Sequence, residues 1–216
     1  MIRSCCAEGF GTLILVMTVV GSGIMADSLS NNISAITLIG NTLATGCILF
    51  VLITILTPIS GAHLNPAVTL AFFCAEEVPI KKASFYIISQ IFGGLAGVAL
   101  AHIMFDLPIF QISEIDRTSL PLYFSEIIAT FGLIFVIFTG RRFRPTAIPL
   151  LVGLYISAGY WFSSSTSFAN PAVTIARTFT DTFTGISPSA IGFFIVAQLL
   201  AAWPAMKFAS WLMQNK

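Results

Sequence analysis

A seven-residue stretch that begins with Asn-Pro-Ala occurs twice in the chain. Asn65-Pro66-Ala67-Val68-Thr69-Leu70-Ala71 returns 105 residues later as Asn170-Pro171-Ala172-Val173-Thr174-Ile175-Ala176. Asn is a favoured N-cap because its side-chain oxygen accepts from an otherwise unpaired amide of the first turn. Proline suits the first helical position because its missing N–H costs nothing there. Each copy therefore predicts the start of a helix, and the polar residues that follow end it well before the roughly 20 residues that cross a bilayer.

The composition indicates a membrane protein. Of 216 residues, 56% are hydrophobic and only 9% are charged, and the mean hydropathy is +0.94. Soluble domains carry about 25% charged residues, so we expect lipid to cover this surface. The net charge of +1 and the lack of basic runs argue against a nucleic-acid partner. The sequence shows no metal-ligand spacing, cofactor motif or nucleophile–base pair, so we expect no metal, no cofactor and no enzyme.

The hydrophobic pattern predicts an all-α membrane protein with six transmembrane helices and two re-entrant half-helices. A single channel domain is expected over residues 1–216, with repeats at about 1–106 and 121–216, joined by an exposed loop at 106–121. The predicted spans are 10–26 (preceded by Glu8), 35–57, 83–105, 122–140, 147–162 and 188–213.

Basic residues predict the orientation. Eight of the ten fall on one side if the N-terminus is cytoplasmic, and only Arg117 and Arg177 fall on the other. The eight are Arg3, Lys81, Lys82, Arg141, Arg142, Arg144, Lys207 and Lys216. An excess of Lys and Arg marks the cytoplasmic side. Both termini are therefore expected to be cytoplasmic.

The repeat extends beyond Asn-Pro-Ala. Glu8 in the first span corresponds to Glu126 in the fourth, and Gln90 in the third corresponds to Gln198 in the sixth. Because each half contains three spans, an odd number, the second half must be inverted relative to the first. Inverted repeats place their site at the midplane, where broken helices point their N-termini at the solute. The two half-helices are thus expected to meet cap to cap.

Two facing asparagine caps would create a site that rejects cations. The amide oxygen of each Asn caps its helix, which leaves an NH₂ group to donate. These donors would lie at the positive ends of two helix dipoles. A water molecule held there by its oxygen does not relay a proton, and half-helix dipoles that exclude protons are a known channel device.

The chain resembles the aquaporin and aquaglyceroporin family over nearly its whole length. The resemblance is carried by residues 7–12, Ala-Glu-Gly-Phe-Gly-Thr, by residues 60–69, Ser-Gly-Ala-His-Leu-Asn-Pro-Ala-Val-Thr, and by Asn170-Pro171-Ala172. It implies a six-helix bundle, usually a homotetramer with one pore per subunit. It also implies that Glu8 and Glu126 are buried carboxylates that brace the re-entrant loops, rather than members of a proton relay.

The sequence departs from the family pattern at the expected selectivity filter. The resemblance implies an arginine directly after the second Asn-Pro-Ala, but Val173 occupies that position. Matching the second span places Thr45 where water channels have a bulky aromatic, and counting back from Asn170 places Ser167 at a third wall. The fourth wall, on span five, is assigned to Tyr160, with Gly159 and Ala158 as alternatives. The predicted ring is therefore wider than that of water channels, and it carries no charge.

Such a ring favours a passive channel for small uncharged solutes. Glycerol-like polyols and metalloid hydroxides fit it, and some water would pass. The residues around Asn170 resemble a bacterial subgroup associated with arsenic-resistance operons, which implies arsenite or methylated arsenicals as solutes and a bacterial inner (plasma) membrane location. The alternative is a water-selective channel in which Arg177 acts as a displaced filter residue. Two further alternatives are a proton-coupled transporter that uses Glu8 or Glu126 and a junction protein with an occluded pore.

Two further residues are candidates for the vestibules. Arg177 lies one helical turn beyond Val173 on the same face. It would either line the outer vestibule or, as we expect, snorkel or pair with Asp181. His63 precedes Asn65 by two residues and is expected in the wall of the cytoplasmic vestibule.

Overall fold

The computed structural model describes residues 1–31 and 33–214. These residues form eight α-helices and two 3₁₀ turns. The helices are α1 (Ile2–Leu29), α2 (Ser34–Ser60), α3 (Pro66–Cys74), α4 (Ile80–Met104), α5 (Leu120–Phe143), α6 (Ile148–Phe162), α7 (Pro171–Ala176) and α8 (Pro188–Leu212). The 3₁₀ turns cover Pro145–Ala147 and Arg177–Phe179.

Within the described residues, six helices are long and apolar enough to cross a membrane, which confirms the predicted number of spans. The two half-helices have nine and six residues and are too short to cross. The largest difference lies in α1, which begins at Ile2 rather than near residue 8 and continues to Leu29. Lys216, which was counted for the orientation, lies outside the described residues.

Each half-helix packs against transmembrane helices from both halves of the chain. α1 packs against α2 and α4, and α5 packs against α6 and α8. α3, from the first half, lies against α8 as well as α4, whereas α7, from the second half, lies against α4 as well as α8. The two halves therefore share one interior. We call the face that carries the N-terminus of α1 the inner face and the opposite one the outer face.

Polar side chains face the interior and large apolar ones face outward. Glu8, Gln90, Glu126 and Gln198 are fully buried, whereas Phe92 is 69% exposed. A soluble protein rarely shows this distribution, because water favours the reverse. It fits a bundle whose surroundings are lipid and whose centre is polar.

The connection between α4 and α5 lies over the outer face and is held there. The backbone amides of Gln111 and Ser113 donate to Phe179 and Thr178, at 3.1 and 2.9 Å. His102 is buried and makes a 2.7 Å hydrogen bond through Nε2 with the Thr180 hydroxyl. The predicted exposed loop is thus partly anchored on the residues that follow α7.

The contact between α1 and α4 depends on glycines. A Cβ at Gly93 would fall on the backbone of Gly9, and one at Gly97 would lie 2.5 Å from the Leu13 carbonyl oxygen. Small residues let membrane helices approach closely, which strengthens van der Waals packing between them.

We predict that Gly93→Ala destabilises the protein by about 1–3 kcal/mol, since overpacking forces the backbones apart. Gly192→Ala in α8 is the matched control, because no atom lies within 4 Å of a Cβ there. Thermal unfolding of both variants in the same detergent measures the difference. Equal melting temperatures would show that the α1–α4 contact does not need the glycine.

Candidate functional site

Both asparagines cap their half-helices as the sequence predicted. The Asn65 Oδ1 accepts from the amides of Ala67 and Val68 at 2.8 and 3.5 Å. The Asn170 Oδ1 accepts from those of Ala172 and Val173 at 3.0 and 3.3 Å. Pro66 and Pro171 occupy the first helical positions, so the same local signal produces the same helix start twice.

The two caps meet through reciprocal hydrogen bonds. The Asn65 Nδ2 donates to the Ala169 carbonyl at 2.7 Å, and the Asn170 Nδ2 donates to the Leu64 carbonyl at 2.8 Å. One N–H of each amide is therefore used on the opposing loop, so the NH₂ groups are not wholly free as the sequence suggested. Both asparagines line the central cavity, and within the described residues the second N–H of each makes no hydrogen bond.

The loops that lead into the half-helices share an unusual backbone. Three residues before each asparagine have left-handed φ values, at positions that match between the repeats. They are Gly61, Ala62 and Leu64 in the first loop, and Thr166, Ser167 and Ala169 in the second. Such conformations cost on the order of 1–3 kcal/mol each for residues other than glycine. The surrounding structure must offset that cost.

Glu8 holds the first loop. Its Oε1 accepts from the Ser60 hydroxyl at 2.6 Å and the His63 amide at 2.9 Å. Its Oε2 accepts from the Leu64 amide at 2.6 Å and Gln90 Nε2 at 2.8 Å. Four donors converge on one fully buried carboxylate. Hydrogen bonds to a carboxylate are stronger than those between neutral groups.

Glu126 holds the second loop in the same way. Its Oε1 accepts from the Ser165 hydroxyl at 2.6 Å and the Phe168 amide at 2.9 Å. Its Oε2 accepts from the Ala169 amide at 2.8 Å and Gln198 Nε2 at 2.6 Å. Neither glutamate is among the residues that line the cavity, so both carboxylates contact loops rather than the solute path.

A cavity of about 730 Å³ runs through the bundle past both asparagines. Its outer part is lined by all four residues of the predicted ring, Thr45, Tyr160, Ser167 and Val173. Of the span-five alternatives, Ala158 is exposed and Gly159 lies against Ser167, so only Tyr160 points into the cavity.

The ring is narrower on one side than the sequence suggested. The Tyr160 hydroxyl lies 3.1 Å from the Thr45 hydroxyl, and the two form a hydrogen bond. The phenol thus fills part of the space that a small residue at position 45 was expected to open. The Ser167 hydroxyl is buried and has no hydrogen-bond partner within the described residues, whereas Val173 gives the ring an apolar wall.

The expected pairing of Arg177 with Asp181 is wrong. Arg177 is only 3% exposed, its Nε donates to the Thr184 carbonyl, and its guanidinium carbon lies 3.4 Å from the Phe168 ring centroid. Asp181 instead accepts from the Glu114 amide at 2.9 Å. The reason is that α7 ends at Ala176, so the helical spacing of four residues does not reach Asp181. Arg177 lines the cavity.

His63 lies in the inner part of the cavity wall. Its Nδ1 is 3.1 Å from the Thr69 hydroxyl, and its ring stacks on Phe72 with a centroid distance of 4.4 Å. These contacts fix the ring against the first half-helix. The residue at the matching position of the second half is Phe168.

Sequence reasoning missed two residues, one at each mouth of the cavity. Arg141 lines the inner mouth, forms a 2.8 Å ion pair with Glu77, and places its guanidinium 4.5 Å from the Phe72 ring centroid. Phe168 lies at the outer end under Arg177. The correspondence between His63 and Phe168 in the repeat was the available signal for the latter.

Six spanning helices, two half-helices that meet cap to cap, and a cavity through the centre define a transmembrane channel. The sequence pattern of the major intrinsic protein family matches residues 1–169, and the chain belongs to that family. Its members are channels, so this chain is a channel and not an enzyme.

Individual relatives agree with the family assignment. The chain is 52% identical over 212 residues to aquaglyceroporin AqpS of Rhizobium meliloti (strain 1021), covering 98% of this chain and 91% of the relative. It is 35% identical over 161 residues to aquaporin NIP1-1 of Arabidopsis thaliana, covering 70% and 53%. The X-ray structure of the aquaglyceroporin from Plasmodium falciparum superposes with a TM-score of 0.75 at 22% identity, covering 96% and 94%. That structure shares the fold.

We predict that Glu126→Gln lowers the free energy of unfolding by about 3 kcal/mol. Glutamine has one acceptor oxygen and turns an NH₂ group toward donors, so buried donors lose their partner. Glu77→Gln is the control, since exposed ion pairs contribute less than about 1 kcal/mol. Chemical or thermal unfolding in detergent compares the two variants. Similar losses for both would mean that Glu126 does not brace the loop.

Proposed function

We propose that the chain is a passive channel for small uncharged solutes of the glycerol type, with some water. Metalloid hydroxides such as arsenite or methylated arsenicals are proposed as further solutes. The proposal is carried by one observation: the outer ring of Thr45, Tyr160, Ser167 and Val173 has no arginine among its four side chains. Replacing an arginine by valine removes both a charge and a fork of five N–H donors.

The chemistry of the ring suits a solute with several hydroxyl groups. Three hydroxyls line one part of it, and Val173 lines another with an apolar surface. A polyol presents donors and acceptors on one side and C–H groups on the other. As it enters, it replaces the Thr45–Tyr160 hydrogen bond and satisfies the Ser167 hydroxyl. Arsenite as a neutral trihydroxide offers a similar set of hydroxyls.

Passage past the asparagines requires the same hydrogen-bond exchange. The free N–H of each asparagine donates to a solute oxygen, and both helix N-termini favour negative rather than positive charge at that point. Cations are therefore repelled while neutral solutes pass along their own gradient. Among the described residues, those that line the cavity include no carboxylate, and this favours a passive channel over a proton-coupled transporter.

A relative supports the solute class, and the distribution of basic residues supports the orientation. The relative at 52% identity is named an aquaglyceroporin. We propose that the chain resides in a bacterial-type inner (plasma) membrane with both termini cytoplasmic, because basic residues favour that orientation. A homotetramer with one pore per subunit is the proposed assembly. Neutral solutes, water and lipid are its proposed partners.

One observation favours a second candidate, a water-selective channel. Arg177 lines the outer cavity one turn beyond Val173, so its guanidinium is positioned to act as a displaced filter residue. The two candidates differ in one measurable ratio, the permeability to glycerol relative to that of water.

We predict that Val173→Arg lowers glycerol permeability about tenfold or more, which corresponds to an added barrier of about 1.4 kcal/mol, and lowers water permeability much less. An arginine there would narrow the ring and bind the hydroxyls that now face the solute. Stopped-flow light scattering of proteoliposomes under glycerol and sucrose gradients measures both permeabilities.

Val173→Met is the matched control, because methionine lengthens the side chain without adding a charge or N–H donors. Equal losses of glycerol and water permeability in Val173→Arg would contradict the proposal. A wild-type channel that conducts water but not glycerol would favour the water-selective alternative.

A further inference from the structure

The two mouths of the cavity each hold an arginine against an aromatic ring, but within the described residues only one of these arginines forms an ion pair. At the inner mouth, Arg141 lies over Phe72 and makes two hydrogen bonds to the Glu77 carboxylate, at 3.2 and 2.8 Å. At the outer mouth, Arg177 lies over Phe168. Within residues 1–31 and 33–214, the Arg141–Glu77 contact is the only ion pair.

A second guanidinium lies beside Arg177. Arg117, from the connection between α4 and α5, has its guanidinium carbon 5.1 Å from the Phe168 ring centroid. Its Nε donates to the Gly185 carbonyl at 2.9 Å and its Nη1 to the Ser165 carbonyl at 3.5 Å. Two cations thus share one aromatic ring, and an aromatic face stabilises each by about 0.5–2 kcal/mol.

Within the described residues, neither arginine forms an ion pair with a carboxylate, although the charge of Glu126 acts on both guanidinium groups through space. Glu126 is the buried carboxylate of this region, and its four hydrogen bonds go to the second loop and to Gln198. Glu114, Asp116 and Asp181 are exposed on the outer face. Asp116 accepts from the amide and hydroxyl of Thr118, and these hydrogen bonds hold the pKa of Asp116 below its usual value. Charges in contact with water are screened, whereas a buried charge is screened much less.

Arg177 keeps donors that the protein does not use. Within the part of the chain that the structure describes, its hydrogen bond runs from Nε to Thr184, and its two terminal nitrogens make none. Arg177 is buried and lines the cavity. The Ser167 hydroxyl, also buried and without a partner, lines the same cavity. A buried charge without a paired carboxylate is costly, so a solute or ion rich in acceptor oxygens lowers the free energy of this site.

We propose that Arg177, supported by Arg117 and assisted by Ser167, forms a binding site at the outer mouth for small solutes and monovalent anions with several acceptor oxygens. The site repels cations before they reach the asparagines. It restores, one turn further out, the positive charge that Val173 lacks. Rings of arginine or lysine select anions in other pores. The inner mouth, where Glu77 neutralises Arg141, has no such selectivity.

The test uses methanesulfonate, a small permanently charged anion with three acceptor oxygens, as the probe. Proteoliposomes hold potassium methanesulfonate on both faces, and it replaces chloride, which has no acceptor oxygens, at constant ionic strength. We expect the glycerol permeability of the wild-type channel to fall to about half when the anion concentration equals the Kd of the site. The inhibition should saturate.

The variants locate the site. Arg177→Gln should abolish the inhibition, Arg117→Gln should shift it to higher anion concentrations, and Arg177→Lys should retain part of it because the charge stays. Arg141→Gln is the matched control at the other mouth and should leave the inhibition unchanged. If Arg177→Gln fails to fold, Arg117→Gln and Ser167→Ala still test the site.

The inference rests on the proposed channel function, but the experiment separates the two. Water permeability is measured in the same vesicles, so anion inhibition is observable even if glycerol does not pass. A wild-type channel that methanesulfonate does not inhibit would overturn the inference, and so would inhibition that persists in Arg177→Gln or disappears in Arg141→Gln. Absence of glycerol flux with intact anion inhibition of water flux would instead overturn the proposed solute.

Discussion

Each re-entrant loop is held by one buried carboxylate that accepts four hydrogen bonds, and the channel architecture depends on these two groups. The loops contain left-handed residues at matching positions, a backbone that costs free energy and exposes amides with no helical partner. Glu8 and Glu126 accept from those amides. Non-helical backbone is tolerated at membrane depth only where protein or a watery cavity surrounds it. The carboxylates supply that environment on one side, and the cavity supplies it on the other.

Fixing the loops in turn fixes the solute path. The carbonyls of Leu64 and Ala169 accept from Asn170 and Asn65, so each loop positions the opposite cap. The second loop also presents Ser167 to the outer ring. The same segment therefore both braces a half-helix and lines the cavity. The opposite wall holds the hydrogen-bonded hydroxyl pair of Thr45 and Tyr160, which lie on α2 and α6.

Local sequence patterns predicted the helices and spans of this structure, whereas contacts between residues far apart in the sequence were not predicted. Asn-Pro-Ala specifies a capped helix start within a few residues, and six apolar stretches specify six spans, so both were predicted. The hydrogen bond from Asn65 to Ala169 and the one between the hydroxyls of Thr45 and Tyr160 join residues more than 100 positions apart, and no local pattern encodes them. Arg177 was misjudged for a related reason: the four-residue spacing to Asp181 has meaning only while a helix continues, and α7 stops at Ala176.

The central claim is that a capped pair of half-helices leads to an outer ring wide enough for solutes larger than water. The most direct test is an uptake panel of water, glycerol, urea and arsenite in one preparation of wild-type proteoliposomes. The account predicts glycerol uptake far above that of protein-free vesicles, alongside measurable water flow. Rapid water flow with glycerol uptake no faster than in protein-free vesicles would contradict it.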